Sequence, residues 1–194
     1  MKYRAAFAMM IAAPLAGCGV NSIPTAEEAA KARWADVQND YQRRADLIPN
    51  LVATVKAAGA QEKDILVQVT QARASANQVQ LSGDDLKDPA KVAAYERAQS
   101  RVTVSLQKLQ EAYPELKSQG NYTTLMSQLE GTENRITIAR RDYNNAVQSY
   151  NTTIRTFPAA VAAKVIYGSK PMAPFQATSA NAEVAPTVNF GNSN

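Results

Sequence analysis

Leu15-Ala16-Gly17-Cys18 is the stretch whose spacing most directly implies chemistry. Met1-Lys2-Tyr3-Arg4 puts two cations ahead of a charge-free run at 5–17, and small residues precede the cysteine. A basic start, a short apolar run and a small-residue cleavage point make a secretory signal. With cysteine at that point the pattern matches the bacterial lipobox, in which the thiol is lipidated and cleavage leaves Cys18 first. As a helix the run would be about 20 Å long, short of the roughly 30 Å of a bilayer core. Several acyl chains on one residue anchor stably where a single chain does not. The expectation is therefore a bacterial membrane lipoprotein facing the periplasm, attached through lipidated Cys18. Gly19 stands where an Asp favours the inner membrane, so the outer membrane is the expected one.

Other chemistry is mostly excluded. The 194 residues contain no histidine and one cysteine, which removes imidazole-dependent nucleophiles, Cys/His zinc sites and any internal disulfide. No metal and no cofactor is expected. The net charge is +4, but loss of Lys2 and Arg4 with a signal at 1–17 leaves +2 and no basic stripe, so nucleic acid is not an expected partner. Glu130 and Glu133 could serve as paired acid and base of a hydrolase. They lie three apart on one predicted helix, however, and such a pair needs opposed positions around a cleft.

The elements that position these residues are helical throughout. Residues 18–24 read as a tether, and Thr25 with Glu28 as a capping box opening the first helix. Pro49 predicts a kink between Ala45 and Pro49, and Gly59 an end or joint. Residues 61–80 continue helical, with Ile65, Val69, Ala72, Ala76 and Val79 on one stripe. Ser82-Gly83-Asp84-Asp85 is a loop, and Asp88-Pro89 an N-cap and first helical residue. Pro114 ends or kinks the third helix. Gly120-Asn121 stops the chain and caps a fourth helix at about 122–157, which Pro158 ends or bends. A short helical piece follows at 159–167. The Pro-, Ser- and Asn-rich remainder, 169–194, reads as extended or disordered, a flexible tail without chemistry.

Tyr122, Leu129, Ile136, Tyr143, Tyr150 and Phe157 repeat every seven residues, with Val147 and Ile154 between. Trp34, Tyr41, Ile48 and Val55, with Val37 and Leu51, do the same in the first helix. Val92, Gln99, Leu106 and Tyr113, with Tyr95, Val102 and Leu109, do so in the third. A 3.5-residue period makes left-handed seams of packed helices. The expected fold is all-α: an elongated, antiparallel up-and-down bundle of about four helices at 25–168.

Polar residues interrupt the seams. Glu133 and Arg140 occupy the fourth helix's second seam, Arg44 falls between Tyr41 and Ile48, and Gln99 lies on the third helix's seam. Charges in a core are costly unless paired, so Arg44 is expected to meet Glu133 or Arg140 in a polar layer that fixes helix register or recognises a polar partner. The seam aromatics read as core, with Arg43, Arg44, Arg140 and Arg141 as partners for the tyrosine hydroxyls.

YQRRADLIPNLVATVK (41–56), EKDILVQVTQARA (62–74) and LMSQLEGTENRITIARRDYNNAVQSYNTTIRTFP (125–158) resemble the LemA family, over roughly residues 25–176. The resemblance implies an antiparallel helical bundle, membrane attachment, binding to membrane-associated partners and no established catalysis. Typical members have a transmembrane helix before the bundle, where this sequence has Cys18. The implied function is a lipid-anchored scaffold or adaptor that contacts unidentified envelope proteins, with homo-oligomerisation open. A coiled-coil spacer is the alternative. The Glu130-to-Asn144 segment is the candidate functional surface, with Glu130, Asn134, Arg141 and Asp142 joining Glu133 and Arg140.

Overall fold

The computed structural model describes residues 20–59 and 62–176. The expected signal at 1–17, Cys18 and the distal tail 177–194 lie outside those residues. Within them the fold is all-α. Helices α1 (Ser22–Ala57), α2 (Lys63–Gln78), α3 (Pro89–Ala112) and α4 (Gly120–Thr153) run up and down. A short α5 (Ala159–Ala162) and a π-turn (Ala163–Tyr167) follow. Single 3-10 turns, Asp85–Lys87 and Pro114–Ser118, sit before α3 and α4. No helix among the described residues is long and apolar enough to cross a membrane.

α1 packs along α4, and α2 along α3. Trp34 lies 5.5 Å from Tyr143, and Arg44 reaches Glu133. Ten residues forward on α1 is thus ten back on α4, as antiparallel packing requires. The heptad positions of α1 and α4 are buried from Trp34 to Val55 and from Tyr122 to Tyr150. Phe157 is the exception at 83% exposure. α4 ends at Thr153, four residues earlier than the heptad implies, so position 157 no longer faces the seam.

The helix starts obey local chemistry, with two departures from expectation. Asp88 accepts from the Ala90 N–H at 2.9 Å, with Pro89 behind it; this cap forms as expected. Thr25 does not cap α1. Its hydroxyl donates back to the Asn21 carbonyl at 2.8 Å, because the helix already begins at Ser22 and buries Ile23. The end of the expected tether is therefore helical. Asn121 is likewise inside α4, which opens at Gly120 without a side-chain cap.

Pro49 leaves α1 a single helix. Lacking an N–H, it frees the Ala45 carbonyl four residues back. Arg73 of α2 donates its Nε to that oxygen at 2.6 Å. The proline defect thus becomes an inter-helix bond. Gly59, at φ +85°, turns the chain after α1, where a side chain would be strained.

The core has two parts. One is largely aliphatic: Ile48, Leu51, Val52 and Val55 of α1 with Leu66, Val69, Val102, Leu109 and Leu129, and Tyr113 and Tyr122 at its end. The other is aromatic: Trp34, Tyr41, Tyr95, Tyr143 and Tyr150 with Phe175. The second corrects the expected tail. Residues 170–176 take the extended form and are packed rather than free, with Met172, Ala173 and Phe175 2%, 7% and 5% exposed. They pack where α2 has ended.

Candidate functional site

Between the two core parts lies a polar layer centred on Arg44, whose side chain is only 3% exposed. One guanidinium nitrogen donates to Glu133 Oε2 and Thr103 Oγ1, both at 2.9 Å. The other donates to the Gln99 side-chain oxygen at 2.8 Å and to its backbone carbonyl at 3.0 Å. The planar fork also lies 4.9 Å from the Tyr41 ring centre. A buried guanidinium needs partners for its donors, and here α3 and α4 supply them across α1. Glu133 keeps 45% of its side chain exposed, so the pair is desolvated on one side only.

Arg140 does not meet Arg44's partners. Two turns from Glu133, it donates to Glu96 Oε1 of α3 at 2.8 Å and to the Gln176 carbonyl at 3.0 Å, and it covers the Phe175 ring at 4.7 Å. Glu96 Oε1 also accepts the Gln176 N–H at 3.0 Å. Burial raises the Glu96 carboxyl above the usual carboxylate range; Arg140 and the Gln176 N–H offset this only in part. Burial likewise holds the Tyr95 and Tyr143 hydroxyls well above the phenol range.

The extended segment is gripped by its backbone. Asn144 donates to the Phe175 carbonyl at 3.0 Å and accepts the Phe175 N–H at 2.8 Å. Asn151 does the same for Met172, at 2.9 Å in both directions. Tyr143 and Tyr150 donate their hydroxyls to the carbonyls of Ala173 and Lys170. The tyrosine partners are therefore carbonyls, not the expected arginines, because the segment lies between. On its other side Ala173 donates its N–H to the Leu86 carbonyl at 2.8 Å. Asn144 and Asn151 are about 10 Å apart along a helix, the span of about three extended residues. Pro171 and Pro174, each just before a gripped residue, hold the chain in that extended form.

Glu130, Asn134 and Arg141 are exposed, and Arg141 only approaches its neighbour Asp142, at 3.6 Å. These residues do not join the layer. An open cleft of about 270 Å³ beside the layer is lined by Arg44, Gln99, Thr103, Glu133 and Arg140, but not by Glu130. The two carboxylates thus do not face one cleft. Among the described residues no cluster of acidic or cysteine side chains could hold a metal ion.

Sequence reasoning missed Glu96, Thr103 and Asn151; Asn144, at the end of the expected functional surface, binds segment 170–176 instead. Glu96 and Thr103 flank Gln99 at helical spacing, and Asn144 and Asn151 follow the seam tyrosines one heptad apart. Those spacings were the available signal.

The model of the LemA family matches residues 33–190. No curated protein matches the chain.

Proposed function

The chain belongs to the LemA family, and from that premise we propose a non-catalytic scaffold or adaptor of the bacterial envelope. It is held at the membrane, the outer one rather than the inner, by lipid on Cys18, and faces the periplasm. It works through contacts with other envelope proteins.

One observation carries this reading: the buried polar groups are spent on binding polypeptide. Arg44 joins three helices, and Glu96, Arg140, Asn144 and Asn151 hold the backbone of an extended segment. A paired, hydrogen-bonded ion set organises geometry, whereas a proton-transfer pair must face a substrate. The exposed stripe of Glu130, Asn134 and Arg141 on α4 is the proposed contact surface for partners.

Crosslinking and pull-down from envelope fractions tests the reading. Native chain should recover partners that Cys18→Ser, released from the membrane, recovers poorly. Arg141→Ala with Asp142→Ala should reduce that recovery without changing helicity. Undiminished recovery by the double variant would remove the α4 surface. Full membrane retention of Cys18→Ser would remove the lipid anchor.

A further inference from the structure

The end of the bundle that carries α5 is built inside out. Ala159, Ala162 and Ala163 are turned inward, at 6%, 8% and 3% exposure, while Phe157, Val161, Val165, Ile166 and Tyr167 stand 83%, 57%, 78%, 63% and 43% exposed. A segment that only closed a core would do the opposite and bury its largest side chains. Five of the eight large exposed hydrophobics among the described residues fall in these eleven positions. A contiguous apolar patch marks a contact site.

Its charge is one-sided. From Ile154 to Gln176 the sequence holds Arg155, Lys164 and Lys170 and no acid. All three are exposed, and no salt bridge among the described residues uses them. Glu27, Asp84, Asp85 and Asp88 line one open cleft with Tyr167 and Lys170. The first three pair with Lys31, Lys87 and Lys91, and Asp88 caps α3. The unpaired cations of the face are therefore Arg155 and Lys164, away from that cleft.

The register of α1 and α4 fixes where this patch sits. Trp34 faces Tyr143; ten residues toward the start of α1 and ten beyond Tyr143 bring Pro24 level with Thr153, the last residue of α4, and the patch begins just beyond that end. Val20 packs on the same cluster as Ala159, Ala162 and Ala163. Cys18 is two residues before Val20, at most about 7 Å along the chain.

We propose that the exposed face of 157–167 is a membrane-contact surface that inserts shallowly among anionic headgroups. Phe157, Val161, Val165 and Ile166 enter the headgroup boundary, and Arg155 and Lys164 meet lipid phosphates. The proposal rests on the lipid-anchor reading for its orientation: an anchor at Cys18 would hold this face at the bilayer at high effective concentration. The bundle would then stand on the membrane with the other end of α4, near Tyr122, pointing away.

The test is the full chain purified from bacterial envelopes and reconstituted in phosphatidylethanolamine–phosphatidylglycerol vesicles. Val165→Trp introduces a fluorophore on the face; Ile138→Trp, at an exposed mid-bundle position, is the control. The native Trp34 is 4% exposed and inside the core in both. Lipids brominated near the headgroup should quench Val165→Trp about twofold or more and leave Ile138→Trp unchanged. Mass analysis of the N-terminal peptide reads lipidation separately. Quenching without lipid on Cys18 would support the contact surface and overturn the anchor. Lipid on Cys18 without quenching would overturn the contact surface and leave the anchor standing. Shielding of Val165→Trp from aqueous quencher but not by lipid, with or without a dimer in solution, would assign the face to protein and also overturn the proposal.

Discussion

The two halves of the core solve the same problem with different materials. In the half near Leu109, four helices surround a largely aliphatic interior and pair most of the backbone within themselves; at the break between α1 and α2, Tyr113 exchanges two bonds with the Glu62 backbone. In the half near Tyr143, α2 has ended at Gln78, and the wall is completed by residues 79–88 and 170–176, neither of which is a long helix. Extended backbone brings polar groups that a helix would have paired internally. The second half therefore needs hydroxyls and amides at its surface: Tyr143, Tyr150, Asn144 and Asn151. Aliphatic side chains suffice along the helices, and aromatic rings with polar tips serve where non-helical backbone meets the core, once at Tyr113 and repeatedly beside 170–176.

The largest expected effects set the halves directly against each other. Leu109→Ala, at a fully buried position, should cost about 3 kcal/mol of global stability. Phe175→Ala removes a larger side chain but should cost less, since segment 170–176 can detach and cap the loss. Urea denaturation of both variants decides this, and equal or reversed costs would mean that the segment unfolds only with the helices. Arg44→Met should follow at about 2–3 kcal/mol, because it orphans the Gln99 oxygens and the buried side of Glu133. Less than about 1 kcal/mol would show that water replaces the guanidinium.

Asn144→Ala combined with Asn151→Ala removes four bonds to the segment and should cost about 2 kcal/mol. Proteolysis should then cut within 169–176 while circular dichroism stays helical; loss of helicity instead would merge the two halves into one cooperative unit. Arg140→Gln should cost about 1 kcal/mol near pH 7 and less at acid pH. Glu96 has a raised folded pKa, so its contribution is fully present below about pH 4.5 and is lost as pH rises through the folded value. Removing Arg140 raises that value further. Stability measured at about pH 4 and pH 7 would refute the sign if the loss were greater in acid. Smallest is Glu133→Gln, about 0.5 kcal/mol with helicity kept, since that carboxylate is half exposed.

This contrast also explains what the sequence made legible. Heptads such as Trp34–Tyr41–Ile48–Val55 reveal helices because burial there follows helical period alone. The Arg44–Gln99–Glu133 meeting follows from polar residues on seams. The grip on 170–176 does not follow from composition, because prolines that break helices read as disorder until something extended is there to bind them. The exposed face at 157–167 was hidden for a related reason: Phe157 continues a heptad in sequence, but α4 ends before reaching it.

The asparagine pair also acts as a gear. Seven helical residues of α4 advance the chain as far as three residues of the extended segment, so the two mesh only at that ratio. One residue inserted between Asn144 and Asn151 would swing the second amide about 100° around the helix and disengage Met172 while Phe175 stayed held. A whole added heptad could re-engage only if the segment also gained three residues with its prolines in step. The groove therefore selects for length as well as composition, and changes in α4 and in the Pro171–Pro174 repeat are tolerable only together.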